Sequence, residues 1–90
     1  MAWHLYILEC ADQSLYTGVT LDITRRIEEH SKGKGSRCLR GKLPVKLVFQ
    51  ELHPDKSTAL KREFEIKRWT RRMKLDLISE NSLKSRRKIG

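Results

Sequence analysis

Two tyrosines, an arginine and a glutamate stand where their chemistry matters more than their bulk. Tyr6 closes the triplet His4-Leu5-Tyr6, Tyr16 opens the triplet Tyr16-Thr17-Gly18, and Arg26 follows, so the three side chains recur at ten-residue intervals. Glu63 comes much later, inside an otherwise apolar helical stripe. Two phenols, one guanidinium and one carboxylate form a set suited to cutting a phosphodiester. For most other chemistries the same set is a poor one. Each residue also has an ordinary reading: a hairpin tyrosine commonly packs across strands with its hydroxyl in water, and a buried carboxylate commonly sits in an ion pair. The joint spacing, with Gly18 two residues after Tyr16, favours the chemical reading over the ordinary one.

The elements that must position these groups are legible from the pattern. Residues 3–9 and 15–19 are rich in aromatic and β-branched side chains and read as strands, with Ala11-Asp12-Gln13-Ser14 as the turn between them, so a hairpin brings the two phenols together. Thr20 or Asp22 caps the next helix, whose Ile23 and Ile27 face the core and whose Arg26 and His30, four residues apart, project from one side. Residues 31–37 end it as a cationic, Gly-containing loop. Pro44 restarts extended structure, and residues 45–52 read as a third strand with Val45, Leu47 and Phe49 on one face. Ser57 is the expected N-cap of a second helix buried through Ala59, Leu60, Phe64 and Ile66. Glu63 belongs to that side too, so it must accept a hydrogen bond, pair with a cation such as Arg26, or bind a metal ion. Thr70 caps a short third helix that packs through Met73, Leu77 and Ile78, and the pattern fades after Ser79. The expectation is one α+β domain over residues 1–80, a three-stranded antiparallel sheet flanked by helices, followed by a basic, flexible tail over 81–90.

Charge narrows the partners. The chain carries 20 Lys and Arg against 11 Asp and Glu, a formal +9. Residues 1–24 hold three acids and no Lys or Arg, so residues 25–90 carry +12, 20 basic less 8 acidic. Such a field captures polyanions through counterion release, and DNA is the expected partner. The basic stretches lack the continuous apolar face that a lipid interface requires, so no membrane is expected. Cys10 and Cys38 lack metal-ligand spacing and are expected as reduced thiols. With no signal-peptide pattern at the start, the expected location is the cytoplasm.

The segment from Tyr6 to Ile66 resembles the GIY-YIG endonuclease superfamily, in its small, single-domain bacterial branch. Tyr6 matches the tyrosine of the first family triplet, Tyr16 that of the second, Arg26 the helix arginine, His30 the aromatic or imidazole position one turn later, and Glu63 the metal-binding glutamate. The resemblance implies hydrolysis of a DNA phosphodiester by water, with a single Mg2+ or Mn2+ held by Glu63 and no small-molecule cofactor. Tyr6 or Tyr16 helps to deprotonate the water; His30 is a further candidate base, since an unperturbed imidazole titrates near 6.5. A free phenol, with a pKa of about 10, needs a neighbour to become one. This chain departs from the pattern at His4 and Leu5, at Thr17, and at Val19, where some relatives carry lysine, and it has no counterpart of the asparagine that often follows the glutamate helix. Two other readings share the composition: a non-catalytic nucleic-acid-binding module on the same scaffold, and an interaction domain that docks on an acidic protein.

Lys32, Lys34, Arg37, Arg40 and Lys42 cluster just after the helix that carries Arg26 and are the expected phosphate contacts. Neutralising three of them is expected to weaken DNA binding uniformly across sequences. It should also flatten the salt dependence by about 0.9 log units per lost contact on duplex DNA, read from titrations at several salt concentrations.

Overall fold

In the computed structural model, residues 2–32 and 41–89 are described, with side chains as far as Glu80. The elements run β1 (Trp3–Glu9), β2 (Leu15–Thr20), α1 (Ile23–Ser31), β3 (Lys46–His53), α2 (Lys56–Lys67) and α3 (Arg71–Ile89). The strands form one antiparallel sheet in the order β2-β1-β3, with β1 at the centre. This is the expected three-stranded α+β architecture. No helix among the described residues is long and apolar enough to cross a membrane.

The β1–β2 connection is built from local hydrogen bonds. Gln13 N–H donates to the Cys10 carbonyl at 2.9 Å, and Gln13 takes a left-handed conformation (φ 70) that Ser14 N–H follows by donating to Asp12 Oδ1 at 3.0 Å. A turn closed by one left-handed residue fixes hairpin register. That register sets Tyr6 opposite Gly18 and Leu8 opposite Tyr16, so both tyrosines lie on the same face of the sheet.

Alternation along β1 divides the core into two layers. Leu5 and Ile7 point to one face and pack with Phe49 and Ile66, flanked by Leu15, Val19, Trp69, Leu77 and Ile78. Tyr6, Leu8 and Cys10 point to the other face and pack with Tyr16, Ile23, Ile27, Val45 and Leu47. Helix α1 therefore covers the tyrosine face, and α2 and α3 cover the opposite one.

Four details differ from expectation. Phe49 does not share a face with Val45 and Leu47. The β1–β3 pairing shifts between Ile7↔Phe49 and Leu8↔Leu47, leaving Val48 as an extra residue that moves Phe49 to the Leu5 and Ile7 layer. Asp55, not Ser57, caps α2, its Oδ1 accepting from Thr58 N–H at 2.8 Å, while Asp22 caps α1 by accepting from Arg25 N–H. On α2 the buried face runs through Ala59 and Ile66, both fully enclosed, with Glu63 between them, whereas Leu60 and Phe64 turn outward. On α3, Thr70 Oγ1 accepts from Met73 N–H as a cap does, and Leu77 and Ile78 pack on the core, but Met73 is exposed. That helix also runs well past Ser79, where the apolar pattern fades, and continues to Ile89.

Candidate active site

Tyr6 is 1% exposed, and its ring lies across Gly18. A methyl group placed on Gly18 would sit 2.5 Å from the Tyr6 hydroxyl oxygen and 2.7 Å from Cζ, so only glycine leaves room for the ring. Because β2 is an outer strand, the phenol reaches across it to the rim of the sheet. There it meets α1. The Tyr6 hydroxyl and His30 Nε2 share a hydrogen bond of 3.0 Å, and His30 is fully buried. Tyr16 completes an aromatic cluster, its ring edge-on to His30 at 5.3 Å between centroids and tilted to Tyr6 at 6.4 Å.

The electrostatics of the cluster follow from this burial. Removal from water holds the Tyr6 phenol above its ordinary value of 10.0, and the nearby charge of Glu63 and the second phenol of Tyr16 add to that. A hydrogen bond with Arg26 and the charge of its guanidinium pull the other way. His30 is held below 6.5, first by burial and then by the Arg26 cation, with Glu29 opposing. At neutral pH both are therefore uncharged, a phenol facing an imidazole. Nδ1 of His30 is buried with no hydrogen-bond partner among the described residues, which leaves the ring held by Nε2 and by packing.

Arg26 and Glu63 reach the cluster from opposite layers. Arg26 is on α1 and lies 3.9 Å from Glu29 of the same helix, while Glu63 is on α2 and pairs with Lys67 at 3.5 Å. Both pairs lie within a helix, at the short spacing that a helix surface favours, and Glu63 has Lys67 as a cationic partner. Glu63 is 19% exposed, and its charge acts on Tyr6. The steric demand on Gly18 and the claim of Lys67 on Glu63 are not among the expectations from sequence. The first was signalled by a glycine at strand register with a tyrosine, the second by the four-residue spacing.

Two of the five expected phosphate contacts fall among the described residues. Lys32 is exposed at the C-cap of α1. Lys42 is held at the hairpin turn, 3.6 Å from Asp12 and 3.5 Å from Ser14 Oγ. Lys34, Arg37 and Arg40 lie outside the described residues.

Among the described residues no group of three or more His, Cys, Asp and Glu side chains could hold a metal ion. The lone carboxylate of Glu63 suits one kind of cation, because Mg2+ is typically bound by one or two carboxylates, with waters and substrate phosphates filling the remaining positions. The donor set therefore fits a hard ion brought together with a phosphate.

A three-stranded antiparallel sheet flanked by helices, with Tyr16 and Gly18 on its outer strand beside Tyr6, is the scaffold of a small nuclease-family domain. Residues 2–76 match the GIY-YIG catalytic domain, and the chain belongs to that family. It is 50% identical over 76 residues to a UPF0213 protein of Staphylococcus aureus, covering 84% of this chain and 93% of that one. The solution NMR structure of a UPF0213 protein from Bacillus halodurans superposes with a TM-score of 0.58 at 46% identity, covering 88% of this chain and 84% of the other. That of a protein from E. faecalis gives 0.64 at 32% identity, with coverages of 92% and 88%. GIY-YIG domains are generally DNA endonucleases that depend on a divalent metal.

Gly18→Ala is expected to destabilise the domain by about 1–3 kcal/mol, because the methyl group must displace a packed ring. Adding Tyr6→Leu should recover part of that loss, as measured by urea unfolding. A second expectation concerns pH. His30 titrates lower in the folded chain than in the unfolded one, so its contribution to stability is complete above about 6.5 and is lost as pH falls through the depressed folded value. Between pH 7 and pH 5, urea midpoints of wild type should fall more steeply than those of His30→Gln.

Proposed function

We propose that this protein is a metal-dependent endonuclease that hydrolyses DNA phosphodiesters. The observation that carries the reading is the buried Tyr6–His30 hydrogen bond, with Arg26 and Glu63 acting on the same phenol. The basic surface draws DNA to the β2 rim. Arg26, already within hydrogen-bonding reach of the site, binds a non-bridging phosphate oxygen and steadies the charge that grows on phosphorus. Tyr6 takes a proton from the attacking water as its own proton passes to His30 Nε2, so a phenol that burial keeps neutral still acts as a base. The lowered basicity of His30 keeps its nitrogen free to receive that proton at neutral pH. Tyr16 fixes the imidazole edge-on and supplies the second hydroxyl for the water. Glu63 would hold Mg2+ or Mn2+, which supplies charge stabilisation at the leaving oxygen when bound.

In this reading residues 1–80 are one catalytic domain, residues 81–90 add positive charge, and the protein works in the cytoplasm in the repair or processing of branched or single-stranded DNA. Lys32, Lys34, Arg37, Arg40 and Lys42 hold the backbone.

Glu63→Gln is expected to abolish cleavage that depends on Mg2+ or Mn2+ while leaving fold and DNA affinity intact, because the amide keeps the shape and loses the charge. The pair it gives up with partly exposed Lys67 is worth only about 0–1 kcal/mol. Arg26→Ala should cost about a hundredfold or more in rate. Cleavage assays over a panel of duplex, flapped, branched and single-stranded DNA, with melting temperatures of the same variants, check both. A stable wild type that cuts none of them with either metal would overturn the endonuclease in favour of a binding module.

A further inference from the structure

The outer face of α2 carries an arrangement that packing does not require. Phe64 is 66% exposed, although Ala59 and Ile66 on the same helix are fully buried, and Leu60, one turn before it, is exposed as well. Cations surround the ring: Lys61 stands three residues before it, Lys67 three after, and Arg68 four after, with its guanidinium 5.6 Å from the ring centroid. Lys61, Phe64, Glu65, Arg68 and Trp69 line a single groove. The one acid among them is already engaged, since Arg62 Nη1 donates to Glu65 Oε1 at 2.7 Å. Trp69 has one side packed on the core and Arg62 over its ring at 5.2 Å, which makes it a fixed wall.

A flat apolar surface flanked by positive charge is complementary to a ligand that joins a flat apolar face to negative charge, and a nucleotide is that ligand. A second copy of the chain would bring Lys61, Lys67 and Arg68 against their own equivalents on a protein of net charge +9, so self-association is disfavoured at this face. A paired base inside a duplex has no free face to offer. We propose that the groove formed by Lys61, Phe64, Arg68 and Trp69 seats an unpaired base of the DNA strand engaged at Glu63, stacking it on Phe64 while Lys61 and Arg68 hold the adjoining phosphates. The inference rests on the endonuclease reading, because Phe64 follows Glu63 directly in α2. It makes the substrate a DNA with an unpaired nucleotide beside the cut, such as a flap, a gap or a branch.

The test is equilibrium binding of the full chain to a fluorescent single-stranded oligonucleotide and to the matching duplex, in EDTA so that no cleavage intervenes. Phe64→Ala should weaken single-strand binding about tenfold or more. Duplex affinity, salt dependence and melting temperature should stay unchanged, and Phe64→Trp should retain single-strand binding. Lys61→Gln and Arg68→Gln should each lower the single-strand salt slope by about 0.7. The proposal is overturned if Phe64→Ala binds single strands as wild type does, if it loses single-strand and duplex affinity equally, or if sedimentation shows a dimer that this substitution dissolves. A wild type that binds single strands through Phe64 but cuts no DNA with Mg2+ sinks the endonuclease reading and leaves the stacking site standing. A wild type that cuts flapped and plain duplex equally, with Phe64→Ala indistinguishable from it, sinks the stacking site alone.

Discussion

The arrangement depends on one steric fact: a tyrosine ring occupies the space that a side chain at position 18 would fill. The hairpin must hold Tyr6 opposite Gly18, and that register is fixed by the tight turn at Gln13. Once the ring crosses β2, its hydroxyl is carried to the rim, where α1 supplies His30 and Arg26 from above and α2 supplies Glu63 from the far layer. Burial of the phenol then sets the chemistry. It makes the anion costly, Arg26 offsets part of that cost, and Glu63 works against Arg26, so the proton on Tyr6 sits under opposed and adjustable influences.

Much of this is legible in the sequence, because the informative signals are local. The alternation in residues 3–9, the turn residues after Cys10 and the aspartate at position 22 each report on neighbours within a few residues, and each element formed where expected. The pairing of Tyr6 and Tyr16 on one face followed from hairpin geometry alone. The placement of Glu63 on the buried side of α2 followed from its spacing to Ala59 and Ile66.

What was not readable depends on contacts between elements. Strict alternation put Phe49 with Leu47, and one extra residue at Val48 reversed it, since a bulge leaves no mark on hydrophobicity. On α2 two apolar stripes compete, Ala59 with Ile66 and Leu60 with Phe64. Helical periodicity cannot choose between them, whereas the sheet surface offered by Leu5, Ile7 and Phe49 can. The four-residue spacing puts His30 beside Arg26 on one side of α1 but does not signal its burial, which comes from Tyr6 and Tyr16 on the facing sheet.

The bulge at Val48 also bears on how the protein behaves in a crowded cell. Strand β3 is an outer strand, and a long regular outer strand is a template for edge-to-edge growth between copies. Here the break between Leu47 and Phe49 divides that edge into two short runs that are out of phase with each other. A straight strand from another molecule can match only one run at a time, and Lys46 adds a charge at the entrance. The irregularity that seats Phe49 in the core thereby also guards a small basic protein against polymerising through its own sheet.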